Sequence, residues 1–230
     1  MAKPSRVPRI YGLAGTNGAG KSSLMGAMLL QQGVEYFDPD RAAQRILSAN
    51  LFSGNPGISQ VEANSAAWHE GKRLLERAIA EKLDFAFETT LGGKTIASLL
   101  DQALSQGIEV RIWYVGLEGV ERHIARVRSR VAQGGHDIPE ERIRERYVQS
   151  RINLIRLLPR LTELLLYDNS EEADPRPGTH GTHGTPGTAP EPRLLLHLVR
   201  GQVRETCELI RVPEWAKSIL AAALKLQPKG

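Results

Sequence analysis

Gly15-Thr16-Asn17-Gly18-Ala19-Gly20-Lys21-Ser22 places its two outer glycines, a lysine and a hydroxyl at the fixed positions of the phosphate-loop pattern G-x-x-x-x-G-K-[ST]. The chemistry follows from these residue types. Glycines let the backbone curl so that successive N–H groups point inward at a phosphate, and a following helix adds positive potential from its N-terminus. The lysine of such a loop reaches the β- and γ-phosphates, and the hydroxyl ligates Mg²⁺. The whole loop, with Lys21, Ser22 and the next residue Ser23, is therefore the candidate nucleotide site, and Ser22 the candidate metal ligand. A glycine-rich turn that binds nothing is the alternative. The surroundings speak against it. Ile10-Tyr11-Gly12-Leu13-Ala14 reads as a short buried strand before the loop, and residues 22–32 carry the apolar spacing of a helix after it.

Phosphoryl transfer also needs an acid near the metal and a base for an acceptor hydroxyl. Two carboxylates stand at the ends of expected strands: Asp40 in Tyr36-Phe37-Asp38-Pro39-Asp40, and Glu88 in Phe87-Glu88-Thr89-Thr90-Leu91. Open α/β sheets bind ligands at the carboxyl ends of their strands, so both acids converge on the edge that carries the loop. The structural alternatives are a first-turn acid at Asp40, favoured by the helix dipole, and a solvated strand end at Glu88. Asp38 competes with Asp40; ahead of Pro39, it also suits a turn. No hydrophobic strand ends in a plain Walker-B aspartate, and Phe85-Ala86-Phe87-Glu88 is the nearest substitute. The two threonines after Glu88 favour a small-molecule kinase over a GTPase or a motor ATPase.

Arginines form the third element. Arg122, Arg126 and Arg130 recur every four residues on one expected helix, with Arg128 off that stripe. Arg142, Arg144 and Arg146 follow a glycine-rich loop. A helix–loop–helix with inward arginines can close over a nucleotide as a lid and neutralise charge on a transferring phosphoryl group. A solvated basic face, partly balanced by Glu140, Glu141 and Glu145, is the other reading. Nucleic-acid binding fits poorly, because the basic stretch lacks interleaved aromatic residues for base stacking.

The elements that must position these residues alternate between strand and helix patterns. Strands are expected at 34–37, 85–87, 108–115 and 164–167. Helices are expected from Pro39, and over 61–82, 96–106, 119–132 and 139–158. Such alternation implies an α/β fold with a mostly parallel sheet. Residues 171–192 contain a Thr-His-Gly repeat with almost no apolar side chains and read as a flexible insert. His180 and His183 within it lack a spaced carboxylate or thiol that would complete a metal site. Beyond it, 193–199 and 208–212 read as a hairpin and 215–226 as a closing helix. The expected organisation is a domain over 1–170, the insert over 171–192, and an appendage over 193–230 packed on the main domain.

Bulk properties agree with a small-molecule enzyme. Hydrophobic residues make up 41% of the chain, which supports a real core. The formal charge of +4, from 30 basic and 26 acidic residues, suits anionic substrates and falls short of a dedicated nucleic-acid binder. The single Cys207 cannot form an internal disulfide, and neither a signal peptide nor a run of about 20 apolar residues is visible. A cytoplasmic protein without membrane contact is the expectation.

Taken together, these motifs resemble the zeta-toxin-like kinases, in the branch described as predicted ABC-type ATPases. The resemblance runs over about 9–170 and is carried by the loop, Asp38-Pro39-Asp40, Glu88-Thr89-Thr90-Leu91, Gly134-Gly135-His136, Arg146-Tyr147 and Tyr167-Asp168-Asn169. It implies a P-loop NTPase three-layer sandwich with a kinase-like lid, ATP and Mg²⁺ as cofactors, and transfer of the γ-phosphate to a hydroxyl of a small substrate such as a UDP-sugar or nucleotide. By the same resemblance, Lys21 and Ser22 serve the donor, Asp40 is the general base, and Glu88 and Thr90 stand on the substrate side. Arg130 and Arg146 match the lid arginines, with Arg126 in reserve. An antitoxin partner is implied as well, so a toxin of a toxin–antitoxin pair remains an alternative; the long insert and the appended hairpin separately keep open a nucleotide-dependent regulatory module read by a partner protein. The chain departs from the family pattern at Asp38-Pro39, where asparagine–alanine is commoner, and in the insert after Asn169.

Overall fold

The structure, a computed structural model, describes residues 6–22, 36–52, 57–171 and 192–228, with only the backbone at 51 and 52. Strands β1 (Arg9–Ala14), β2 (Phe85–Thr89), β3 (Glu109–Gly116) and β4 (Glu163–Asp168) lie parallel in the order β2-β1-β3-β4. Runs such as Ile112-Trp113-Tyr114-Val115 suit a parallel strand covered on both faces. The helices between strands are α1 (Pro39–Phe52), α2 (Gln60–Glu81), α3 (Lys94–Ser105), α4 (Val120–Ala132) and α5 (Glu140–Leu157). The expected α/β class is thus the observed one. Of the strand expected at 34–37, Phe37 is seen bridging the outer edge of β2. Its N–H donates to the Ala86 carbonyl, and its carbonyl accepts from the Glu88 N–H, both at 2.8 Å. Residues 34 and 35, most of the helix expected over 22–32, Ser23, and the insert with His180 and His183 lie outside the described residues.

Burial explains the stacking. On one face of the sheet, Ile10, Ile112, Tyr114 and Leu166 meet Leu75 of α2, Leu100 of α3 and Leu154 of α5 in one buried cluster. Each such side chain contributes about 1.5–3 kcal/mol when fully buried. On the opposite face a smaller cluster of Leu13, Trp113 and Val115 takes in Ala19, which seats the phosphate loop on the sheet. Helix α2 starts where the sequence directs it. The Ser59 Oγ accepts from the Glu62 N–H at 3.2 Å, and Glu62 Oε2 accepts from the Ser59 N–H at 2.9 Å, a reciprocal cap.

The sheet continues beyond β4 with an antiparallel pair, β5 (Arg193–Val199) and β6 (Gln202–Thr206). The second hairpin strand expected at 208–212 is not formed; Leu209–Arg211 is a single 3-10 turn. The turn decides the register. Arg200 and Gly201 both hold positive φ, 49° and 74°, while Val199 faces Gln202, the geometry of a two-residue primed hairpin turn. The polar segment after that turn forms the exposed edge strand, so the apolar content of 208–212 misdirects a reading by hydrophobicity. Helix α6 (Glu214–Lys225) follows, and its Trp215, Ile219 and Ala223 join the main cluster. Among the described residues, no helix is long and apolar enough to cross a membrane.

Candidate active site

The chain leaves β1 at Ala14, turns through the glycines, and resumes helical backbone at Lys21. Gly15 holds a φ of 141°, and a Cβ there would fall 2.2 Å from the Val115 carbonyl oxygen, so no side chain fits. The Ala19 N–H donates to the Thr16 carbonyl at 3.1 Å and closes the turn. Lys21 is only 6% exposed; its Nζ donates to the Thr16 carbonyl at 3.4 Å and lies 3.5 Å from Glu88 Oε1. Ser22 Oγ donates to Glu88 Oε2 at 2.6 Å. One carboxylate therefore holds both the lysine and the hydroxyl of the loop. Glu88, carried over from the family as a substrate-side residue, directs its carboxylate to Lys21 and Ser22 of the loop, although it also lines the cavity described below. The oxygen pair of Ser22 and Glu88 suits Mg²⁺, which takes one or two protein oxygens and completes its shell with phosphates and water. Among the described residues there is no cluster of three histidines, cysteines or acids that would favour another metal.

Asp38 and Asp40 divide their duties. Asp38 Oδ1 accepts from the N–H of Asp40 at 2.9 Å and of Arg41 at 3.2 Å, which caps the first turn of α1. Burial, aided by the charge of Glu88, pushes its carboxyl above the usual range. Asp40 is more open. Its Oδ2 lies 3.3 Å from Arg130 Nη1, and its Oδ1 lies 3.8 Å from His136 Nε2.

Helices α4 and α5 and the loop between them enclose their own apolar cluster of Ile124, Val127, Ile138 and Ile143. That packing sorts the arginines. Arg130 reaches Asp40 and the His136 carbonyl, and its Nε is buried with no hydrogen-bond partner among the described residues. Arg146 donates to Asn17 Oδ1 at 2.8 Å and presses its stem against Gly92. Burial, with the Arg142 charge second, lowers its pKa, and as a guanidinium it stays cationic. Arg126 donates to the Asn169 carbonyl at 3.0 Å. Arg128, Arg142 and Arg144 instead pair on the surface with Glu140, Glu145 and Glu121. The run thus divides: Arg126, Arg130 and Arg146 turn inward, and Arg128, Arg142 and Arg144 form a solvated, acid-balanced face.

A cavity of about 810 Å³ is lined by Asn17 and Lys21 of the loop, by Glu88 and Thr90, and by Asp40 and Arg146. Several residues that shape it escaped the sequence reading. After β2 the backbone passes through Leu91, a buried leucine held at a φ of 53°. Such strain persists only where the surroundings over-determine it. Here Asn153 Nδ2 donates to the Leu91 carbonyl at 2.8 Å, and Ser150 Oγ donates to the Thr90 carbonyl at 2.6 Å. The available signal was two polar residues, three apart, on the apolar stripe of α5. Trp68 of α2, which the helical spacing places inward with Leu75 and Ile79, stands instead on the cavity wall and is 42% exposed.

His123 is the other unforeseen contact. It is buried, and its Nδ1 donates to the Asn17 carbonyl at 2.8 Å, within the loop itself. Burial, with the charge of Lys21 behind it, pushes its pKa down to about 4. The unfolded chain therefore binds the proton first, and stability falls as pH drops from about 6.5 toward 4. The contribution of His123 to this loss is about 3 kcal/mol in urea unfolding, and His123→Gln should remove it, leaving the shallower acid dependence of paired carboxylates such as Glu109.

Comparison with known proteins agrees with this architecture. The zeta toxin family model matches residues 2–173. An uncharacterized protein of Haemophilus influenzae is 34% identical over 134 residues, covering 58% of this chain and 88% of that protein. The AvrRxo1-ORF1:-ORF2 complex solved with ATP superposes with a TM-score of 0.62 at 15% identity, over 98% of this chain and 67% of that one. In the same complex with sulphate ions, the chain spans 64% of the matched chain's length, with a TM-score of 0.62, 15% identity and 95% of this chain covered. A structure from the PezAT toxin–antitoxin system of Streptococcus pneumoniae gives 0.52 at 17% identity, over 72% and 69% of the two chains. At these identities the solved structures speak for the fold, and the family match covers most of the chain: the protein belongs to the zeta toxin family.

Proposed function

We propose that the protein is an ATP- and Mg²⁺-dependent kinase that transfers the γ-phosphate to a hydroxyl of a small substrate. The carrying observation is that one cavity is lined by the loop lysine, by Glu88 and by the open carboxylate of Asp40. In this reading the loop amides and Lys21 hold the β- and γ-phosphates, with Lys21 exchanging its contact with Glu88 for the nucleotide. Ser22 and Glu88 hold the metal, which when bound neutralises charge on the phosphates. Asp40 takes the proton of the acceptor hydroxyl as its oxygen bonds to the γ-phosphorus and the bond to the leaving ADP oxygen breaks. Arg130 and Arg146 stabilise charge on the phosphoryl group in flight.

The acceptor wall carries Trp68 and, one turn along α2, Lys72. The flat ring suits an acceptor that bears a planar ring, such as a UDP-sugar or nucleotide, and Lys72, here paired with Glu76 at 2.6 Å, would exchange that contact for the acceptor's negative charge. Trp68→Ala is expected to raise the KM for the acceptor about tenfold, in line with the loss of a stacking contact, while the Kd for ATP stays unchanged. The reading is tested by incubating the protein with labelled ATP and a panel of UDP-sugars, nucleosides and dinucleotides. A phosphorylated product detected by mass supports it; ATP hydrolysis indifferent to every acceptor counts against it.

A second reading concerns the biological setting. The family match, and a neighbour that belongs to a toxin–antitoxin system, support a toxin restrained by an antitoxin. Expression should then arrest growth, and Lys21→Ala should relieve the arrest; normal growth on expression of the unaltered chain would speak against it.

A further inference from the structure

The C-terminal segment touches the phosphate loop through a short chain of mostly buried polar groups. Asp168, the last residue of β4, is 6% exposed and accepts from three donors. Trp215 Nε1 reaches its Oδ1 at 3.1 Å, Ser170 Oγ reaches the same oxygen at 2.5 Å, and Arg193 Nη2 reaches Oδ2 at 3.3 Å. Trp215 lies in the first turn of α6 and Arg193 begins β5, both beyond the 2–173 region that the family model matches. The neighbouring residue passes the constraint on. Asn169 Nδ2 donates to the Ala19 carbonyl inside the phosphate loop at 2.9 Å, and its N–H donates to the Gly116 carbonyl at 2.9 Å. The Trp215 ring lies flat against Gly116, where a Cβ would fall 2.4 Å from the ring. Gly116 follows Val115, whose carbonyl abuts Gly15.

A buried carboxylate is strongly destabilising unless its oxygens are paired, so Asp168 depends on these donors, and two of them come from the C-terminal segment. We propose that the β5–β6 hairpin and α6 brace the nucleotide site: Trp215 and Arg193 fix Asp168, and Asp168 thereby sets Asn169 against Ala19. Trp215, Arg193 and Asn169 are positioning residues; none of them is assigned a contact with the nucleotide. The consequence for ATP rests on the kinase reading, whereas the brace on the loop does not.

The test uses the full chain with Trp215→Phe, Asn169→Ala and the two combined. Phenylalanine keeps an aromatic ring in the core and removes the N–H donor, but it lacks the far indole edge that packs on Gly116, so Arg193→Gln, which leaves that packing intact, is read beside it. Hydrogen exchange of the amides of 15–22, in the nucleotide-free protein, should accelerate about tenfold in each single variant, as for the loss of a hydrogen bond tied to a charged group. The double variant should be no worse than the stronger single, because the contacts act in series. Exchange over 109–114 of β3, ahead of the residues in the brace, should stay near that of the unaltered chain, which a merely structural role would not allow. Arg193→Gln, at a partly exposed position, provides a milder variant with the same expected pattern. Unchanged loop exchange in Trp215→Phe and Arg193→Gln, additive effects, or acceleration spread through 109–114 of β3 would overturn the proposal. ATP titration of the same proteins separates the two ideas. A raised Kd in the variants extends the brace to the nucleotide, while failure of the unaltered chain to bind ATP overturns the kinase reading and leaves the exchange result to decide the brace.

Discussion

Asp40→Asn is expected to leave ATP binding within about twofold and to lower phosphoryl transfer by about 10²–10⁴-fold. Asparagine matches the carboxylate in shape but cannot take a proton. Among the described residues, the ion-pair partners of the Asp40 side chain are Arg130 and His136, both on the α4–α5 side of the cavity. Its neighbour Asp38 is poorly placed to substitute, because it is buried, caps α1 through its Oδ1, and does not line the cavity. The variant should therefore fold, bind nucleotide and fail at transfer. Paired measurements of ATP Kd and transfer rate check this, and a fully active variant removes Asp40 from the chemistry. The contact with Arg130 adds a second expectation. Without the carboxylate charge, the arginine is freer to engage the phosphates, so a modest tightening for ATP is compatible with the assignment and a large weakening is not.

Lys21→Ala is expected to weaken ATP binding and to lower transfer by about 10³-fold or more, the scale for losing a preorganised charge at the transferring group. Lys21 is nearly buried, and its ammonium lies between the Thr16 carbonyl and Glu88. Removing it leaves the Glu88 carboxylate with Ser22 as its partner among the described residues, so a stability loss of about 1–3 kcal/mol should accompany the loss of activity. Lys21→Arg should not restore the rate. A planar guanidinium cannot take the place of a compact ammonium in a pocket closed by the Thr16 carbonyl. Circular dichroism with ATP titration separates loss of the site from loss of the fold.

The features that could be read from the chain were those written in local spacing. The loop is eight consecutive residues, its strand and helix stand next to it, and Asp40 follows a strand and a proline. The structure gathers Lys21, Glu88, Thr90, Asp40 and Arg146 around one cavity and sets Arg130 against Asp40. What stayed hidden depends on distant contacts. The bond between Ser22 and Glu88 joins residues 66 positions apart, and the bond between Asn169 and Ala19 joins residues 150 apart. Neither distance leaves a periodic trace. Ser150, Asn153 and His123 are polar groups buried in amphipathic helices, where pattern reading assigns them to solvent. The β6 strand was missed because an edge strand need not be apolar, and the primed turn at Arg200-Gly201 outweighs the hydrophobic signal further along. The arginines could be counted but not aimed until the small core of Ile124, Val127, Ile138 and Ile143 fixed the lid.

The central claim is that the loop and Asp40 form the two halves of a phosphotransferase. Its most direct test is to follow ATP consumed against phosphorylated acceptor formed in the same reaction. The expected result is a one-to-one ratio in the unaltered protein, with no product from Lys21→Ala and almost none from Asp40→Asn. Steady release of inorganic phosphate, independent of acceptor and undiminished by Asp40→Asn, would contradict it.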